Sequence, residues 1–140
     1  MSRLKGFTLV ELLVVVLIIG ILSAVAIPSY MTYILKAHRS AAVTGVLELA
    51  SRQARYYTTH NNYTTSMVTL GYASDPMPLD STNSHHFDLS VESADANGFV
   101  LKASPYGKQT NDKCGTYRYT DLGRMTSEGD TTLVKECWKR

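Results

Sequence analysis

The chain has 140 residues, 44% of them hydrophobic, and its 14 basic and 12 acidic side chains give a formal net charge of +2. That length accommodates one domain plus a short appended segment, and so small a charge excludes a chain built as a whole to bind polyanions. Its two cysteines, Cys114 and Cys137, stand near the C-terminal end without a Cys-x-x-Cys or Cys/His metal spacing.

The first element is KGFTLVELLVVVLIIGILSAVAIP, residues 5 to 28, a cation followed by an almost wholly apolar run. As a helix, Phe7–Ile27 would be about 31 Å long at about 1.5 Å per residue, close to the roughly 30 Å of a bilayer core. Ser23, Ala24 and Ala26 supply the small residues of a secretory cleavage site. Against that reading, the apolar periodicity carries on past Pro28 through Tyr30, Tyr33, Ile34 and Leu35, as a continuing helix does. Arg3 and Lys5 keep the N-terminus cytoplasmic and leave the remainder of the chain outside.

Glu11 interrupts the apolar run. An acid in hydrocarbon is costly enough to demand a role. Either it snorkels to the near interface, about one helical turn away, or it awaits a cation from another chain. No Lys, Arg or His lies between Gly6 and Lys36 to neutralise it from within. Gly20 and Pro28 weaken the helix, one by backbone freedom and the other by a missing N–H. They read either as an ordinary tolerated kink or as sites of packing and melting, with Gly20-x-x-x-Ala24 as a small-residue face.

The stretch KGFTLVELLVVVLIIGILSAVAIPSY closely resembles the class III leader and N-terminal helix of type IV pilins, over residues 1 to 35. The resemblance implies that residues 1–6 are a leader cut by a prepilin peptidase between Gly6 and Phe7, and that the same enzyme N-methylates Phe7. Glu11 then pairs with the Phe7 amine of a neighbouring subunit. The stretch from Gly20 to Pro28 then loses helical order in the filament. Losing the leader removes Arg3 and Lys5, so bases fall from 14 to 12 against 12 acids. The implied partners are other pilin subunits, major and minor, the peptidase and the inner-membrane assembly platform. The implied location is the inner membrane by one helix with the head in the periplasm, then an extracellular pilus.

Beyond Pro28 the helix is expected to run to Thr58 or Thr59, with Val43, Val46/Leu47, Ala50, Ala54 and Tyr57 as its apolar stripe and Glu48→Arg52 as a favourable pair. Residues 7 to 59 as one helix would be about 80 Å long. Residues 59–85, rich in Asn, Thr, Ser, Asp and Pro, read as a connecting loop tacked down by Tyr63, Leu70 and Tyr72. Phe87, Leu89 and Val91 alternate with polar residues as a half-buried strand, SADANG turns the chain, and FVLKAS returns it as a hairpin. TYRYT, Thr116–Thr120, is a third strand, and a fourth is expected around Leu133–Trp138. The fold class is therefore α+β: a long N-terminal helix on an antiparallel sheet of about four strands, with residues 7–35 as the membrane and assembly half of the helix and 36–140 as a head. That is the pilin fold, and FVLKASPYGKQTNDKCGTYRYTDLGR with a terminal Cys-Trp resembles the C-terminal region of small minor pilins of the PilE kind.

Outside the cytoplasm oxidation is favoured, so Cys114 and Cys137 are expected to form a disulfide worth about 3.4 kcal/mol of chain entropy. His85-His86-x-Asp88 hints at a metal, but adjacent histidines on a strand face opposite ways. No cofactor is expected. No nucleophile elbow or phosphate-cradling glycine loop is present, so the chain reads as a substrate of enzymes and not as an enzyme. The main reading is a structural pilus subunit, a minor pilin serving assembly, twitching motility and adhesion. The alternatives are a minor pilin that binds DNA for natural transformation, or a type II secretion pseudopilin. DNA is the less favoured partner. Its candidate contacts are Lys113, Arg118, Arg124, Lys135, Lys139 and Arg140, set among Asp121, Glu128, Asp130 and Glu136, and Tyr117 and Tyr119 alternate away from Arg118.

Overall fold

The computed structural model describes residues 6–79, 85–129 and 134–139. The chain divides into two compact units, residues 1–34 and 35–140. Helix α1, Leu9–His60, has 52 residues and contributes to both.

Within the first unit, residues 9–34 are a single helical stretch with apolar side chains on every side. Thr8 precedes it, and its hydroxyl accepts the Glu11 N–H at 3.2 Å, satisfying one of the donors a helix start leaves free. Large apolar side chains from Leu9 to Ile27 are all exposed, and the run is long and apolar enough to cross a membrane. Pro28 lies inside the helix without ending it. The Thr32 hydroxyl donates to the Pro28 carbonyl at 3.1 Å, one turn beyond the Ala24 carbonyl that the proline deprives of a donor.

The second unit holds the remainder of α1 and a sheet. The buried stripe of α1 is Arg39, Ala42, Val43, Gly45, Val46, Leu49 and Gln53. This corrects the expected stripe: Ala54 is exposed, while Leu47, Ala50 and Tyr57 are only half-buried. Gln53 wins its place because its amide clamps one peptide, donating Nε2 to the Thr64 carbonyl at 2.6 Å and accepting the Thr64 N–H at 3.1 Å. A buried amide with its bonds made costs little. The Glu48–Arg52 pair forms at 2.8 Å.

The sheet has five antiparallel strands in sequential order: β1 (Met77–Leu79), β2 (Phe87–Ala94), β3 (Phe99–Pro105), β4 (Tyr117–Thr120) and β5 (Met125–Ser127). Phe87 and Leu89 of β2, Phe99, Leu101 and Ala103 of β3, and Tyr117 of β4 point into one core with Val43, Val46 and Leu49. Between β2 and β3, the Asp95 carboxylate accepts the N–H groups of Asn97 (2.6 Å) and Gly98 (3.1 Å), which fixes the turn. At Gly45 a Cβ would stand 2.9 Å from Leu79 Cδ1, so any larger residue there would make the Leu79 side chain of β1 shift.

Two segments differ from the sequence reading. The expected loop over 59–85 contains β1, and its fully buried Met67 joins Leu70 in the core. The strand expected around Leu133–Trp138 is instead a short helix, α2, Val134–Cys137, although Leu133 itself lies outside the described residues. Cys137 is bonded to Cys114, both fully buried. The next residue, Trp138, stacks edge-on against Tyr117 and donates its indole N–H to the Thr126 carbonyl at 3.3 Å. One helical turn places Val134 below Trp138, whose N–H bonds the Val134 carbonyl at 3.1 Å.

Candidate functional site

The residues expected to govern assembly lie in the first unit. Phe7 is 76% exposed, Glu11 is exposed, and a Cβ at Gly6 or Gly20 would meet nothing within 4 Å. The Glu11 carboxylate has no hydrogen-bond or ion-pair partner among the described residues. Thr8 and Glu11 also stand in the spacing of a capping box, three residues apart at the helix start. An acid there is favoured by the helix dipole, a local reason for Glu11 that apolar patterning hides.

In the head, the described bases named as DNA contacts do not form one free set, although Lys113 and Lys139 both lie by Glu136. Arg118 is neutralised twice, by Glu92 at 2.8 Å and Glu128 at 3.1 Å. The Lys113 ammonium lies 3.2 Å from Glu136. Arg124 follows the β4–β5 turn, whereas Lys135 and Lys139 flank the disulfide; Arg140 lies outside the described residues. Tyr117 and Tyr119 do turn inward from Arg118, toward Trp138.

A different group gathers instead. Lys36, Arg39, Glu136 and Lys139 line an open depression of about 330 Å³. Glu136 is held below the usual carboxylate range, first by its hydrogen bond to Lys113 and also by the charges of Lys36 and Lys139. Arg39 is fixed in the wall: Nε and Nη2 grip the two oxygens of buried Asp112, the first at 2.8 Å. That bond also raises the Arg39 guanidinium above its ordinary value. The Gln109 amide adds bonds to the Leu35 carbonyl (3.1 Å) and to Asp112 (3.2 Å), so α1 and the 3-10 turn at Gly107–Asn111 are tied together. Tyr117 lies beside this pair, and burial pushes its hydroxyl strongly up.

Aromatic rings collect at the C-terminal end of α1. Tyr56 stacks on His60 (3.9 Å), Tyr57 on Tyr63 (4.6 Å), and the Arg52 guanidinium lies 4.4 Å over Tyr72. This group lies outside TYRYT, and its signal in the sequence is the four-residue spacing of Tyr56 and His60. His85 contacts Asp88 at 3.2 Å and stacks on Tyr106, while His86 stacks on His38. Among the described residues no three His, Cys, Asp or Glu side chains gather to hold a metal.

Residues 1–27 match the prokaryotic N-terminal methylation motif, and residues 28–118 match the family described as type IV minor pilin ComP, DNA uptake sequence receptor. The chain is 32% identical over 110 residues to the type IV wide pilus major component PilA4 of Thermus thermophilus, covering 76% of this chain and 78% of that protein. It is 40% identical over 75 residues to the type IV major pilin PilE1 of Neisseria gonorrhoeae, covering 54% of this chain and 46% of the relative; it thus spans less than half of that pilin's length. The fold is shared with the Neisseria meningitidis non-core minor pilin PilV (TM-score 0.54, 18% identity, 71% of this chain and 92% of that one). A type IV pilin from Shewanella oneidensis has it too (TM-score 0.50, 24% identity, 76% and 99%). A methylation leader, an apolar helix and an antiparallel sheet mark a type IV pilin. Within that class, the chain belongs to the minor pilin family of ComP. The leader and helix fit anchoring in the inner membrane and passage into an extracellular pilus.

Proposed function

We propose that this chain is a minor subunit of a type IV pilus, a substrate of the prepilin peptidase and not itself an enzyme. In this reading the chain is cut between Gly6 and Phe7, methylated at Phe7, and drawn by the assembly platform into a filament with major and minor pilins. The observation that carries it is an exposed, apolar helical run with one carboxylate, Glu11, near its start that has no partner among the described residues. Such a surface is stable in lipid or against its own kind, and the acid is tolerated where a neighbour's Phe7 amine meets it. Gly20 and Pro28 are then the places where the helix loosens as subunits pack. Glu11→Val is expected to leave membrane insertion intact while subunit incorporation falls at least tenfold, measured by quantitative blot of sheared pili against membranes. Normal amounts of the variant in the filaments would count against the pairing.

The family description favours a second role, capture of DNA for uptake. Because Arg118 and Lys113 are already neutralised, the contacts fall to exposed bases such as Arg55 and Arg124, with the stacked tyrosines nearest Arg55. Duplex binding by the full chain through these two contacts is expected to weaken with salt at a log–log slope of about −2, at about 0.9 per phosphate contact. Anisotropy titrations over a salt series, with matched and scrambled duplexes, check this. Binding indifferent to both salt and sequence leaves the structural role alone.

A further inference from the structure

Lys36 is the first charge after Glu11, at the point where the apolar run gives way to the head. A helix crossing from Phe7 leaves the roughly 30 Å hydrocarbon core near Ile27, and Lys36 follows about 13 Å further along, near the outer limit of the headgroup layer, from which a long basic side chain reaches back to the phosphates. The structure surrounds that residue with further cations. Lys36, Arg39, Lys113 and Lys139 supply four positive charges, against two negative ones from Glu136 and Asp112, leaving +2 around the depression. The Asp112 carboxylate is consumed in orienting Arg39, whose side chain is only 8% exposed. Glu136 is engaged by Lys113. Lys36 and Lys139 have no ion-pair partner among the described residues and stand exposed at the rim.

We infer that this depression binds the headgroup of an anionic phospholipid in the outer leaflet of the inner membrane. Arg39 supplies a pre-oriented guanidinium in the wall, and Lys36 and Lys139 close over the phosphate from two sides. The lipid fits better than DNA because the depression includes the residue that follows the membrane-spanning run. Arg55 on α1 and Arg124 in the β4–β5 turn, bases a duplex would also need, do not line the depression. A bound headgroup would fix the head at the membrane surface, and extraction into a filament would have to break that contact. The inference rests on the reading of residues 7–35 as a membrane span.

The test uses the full chain reconstituted in phosphatidylcholine bilayers containing one-fifth phosphatidylglycerol, followed by native mass spectrometry of the detergent-released protein. The wild type is expected to retain phosphatidylglycerol at least tenfold over its share of the bilayer. The variant K36Q/K139Q, altered only at exposed side chains, is expected to retain both lipids in proportion to the bilayer. The charge-matched control R55Q/R124Q is expected to behave as wild type. Equal retention by wild type and K36Q/K139Q overturns the inference, as does an equal loss in the control. A tenfold loss of DNA binding in K36Q/K139Q with lipid retention unchanged makes the depression a nucleic-acid contact instead. Carbonate extraction separates the premise: release of the chain refutes the span and the inference with it, while an embedded chain without lipid preference refutes the inference alone.

Discussion

Gly6→Leu is expected to abolish maturation, leaving a chain of full precursor mass in the membrane and none in pili. A side chain at Gly6 meets nothing within 4 Å, so leucine is accommodated without disturbing the fold. Any block must therefore arise in the peptidase, which on this reading needs a residue without a side chain before the cut. The unprocessed chain would keep Arg3 and Lys5 next to Glu11, and Phe7 would have no free amine to offer a neighbour. Both losses act on assembly and neither on folding of the head. Intact mass of membrane and filament fractions checks the outcome. A mature chain from the variant, or cleavage after Ala26 in the wild type, would falsify this account of processing.

Asp112→Ala is expected to cost the head about 3–5 kcal/mol, the largest stability loss from any single truncation of an ion pair here. The Arg39 and Asp112 side chains are 8% and 4% exposed, so removing the acid strands a charge with little water to receive it. Gln109 loses a partner in the same step. By contrast, Glu48→Ala breaks an exposed pair on α1 and should cost about 0.3–0.5 kcal/mol. Replacing Arg39 and Asp112 together by methionine and leucine should recover most of the loss, because neither charge is then left alone. Denaturant midpoints for the four proteins decide it, and a loss below about 1 kcal/mol for Asp112→Ala would contradict the burial argument.

Much of the fold was readable before the structure. The chargeless run followed by apolar residues at three- and four-residue steps announced α1, and the alternation through Phe87, Leu89 and Val91 announced the hairpin of β2 and β3. β1 escaped notice because Pro76 and Pro78 argue for a loop. At a sheet edge, however, a strand residue without an N–H is tolerated, and β1 is an edge. α2 escaped because Val-Lys-Glu-Cys-Trp alternates as well as it coils, and only docking of Trp138 on Tyr117 and Thr126 decides between them. On α1 Val43 and Val46 were legible, but further along the buried positions are Leu49 and Gln53 and not Ala50 and Ala54, because hydropathy cannot foresee that Thr64 will satisfy Gln53. Gly6, Phe7 and Glu11 carry a local motif and so were legible one by one. The depression was not, since Lys36 and Lys139 meet only through the fold and leave no spacing to recognise.

The strictly sequential strand order has a consequence for biogenesis. Every strand pairs with the one before it, β1 with β2 through to β4 with β5, so no hydrogen-bonded partner has to wait for a distant segment. A chain held by its N-terminal helix and delivered outward from that end can lay each strand on its predecessor as it arrives. Asp112 reaches back to Arg39 before β4 and β5 arrive, and the bond from Cys137 to Cys114 follows after them. The disulfide can thus close only after the last strand has been laid down, and a subunit interrupted before Cys137 would present a sheet without its lock.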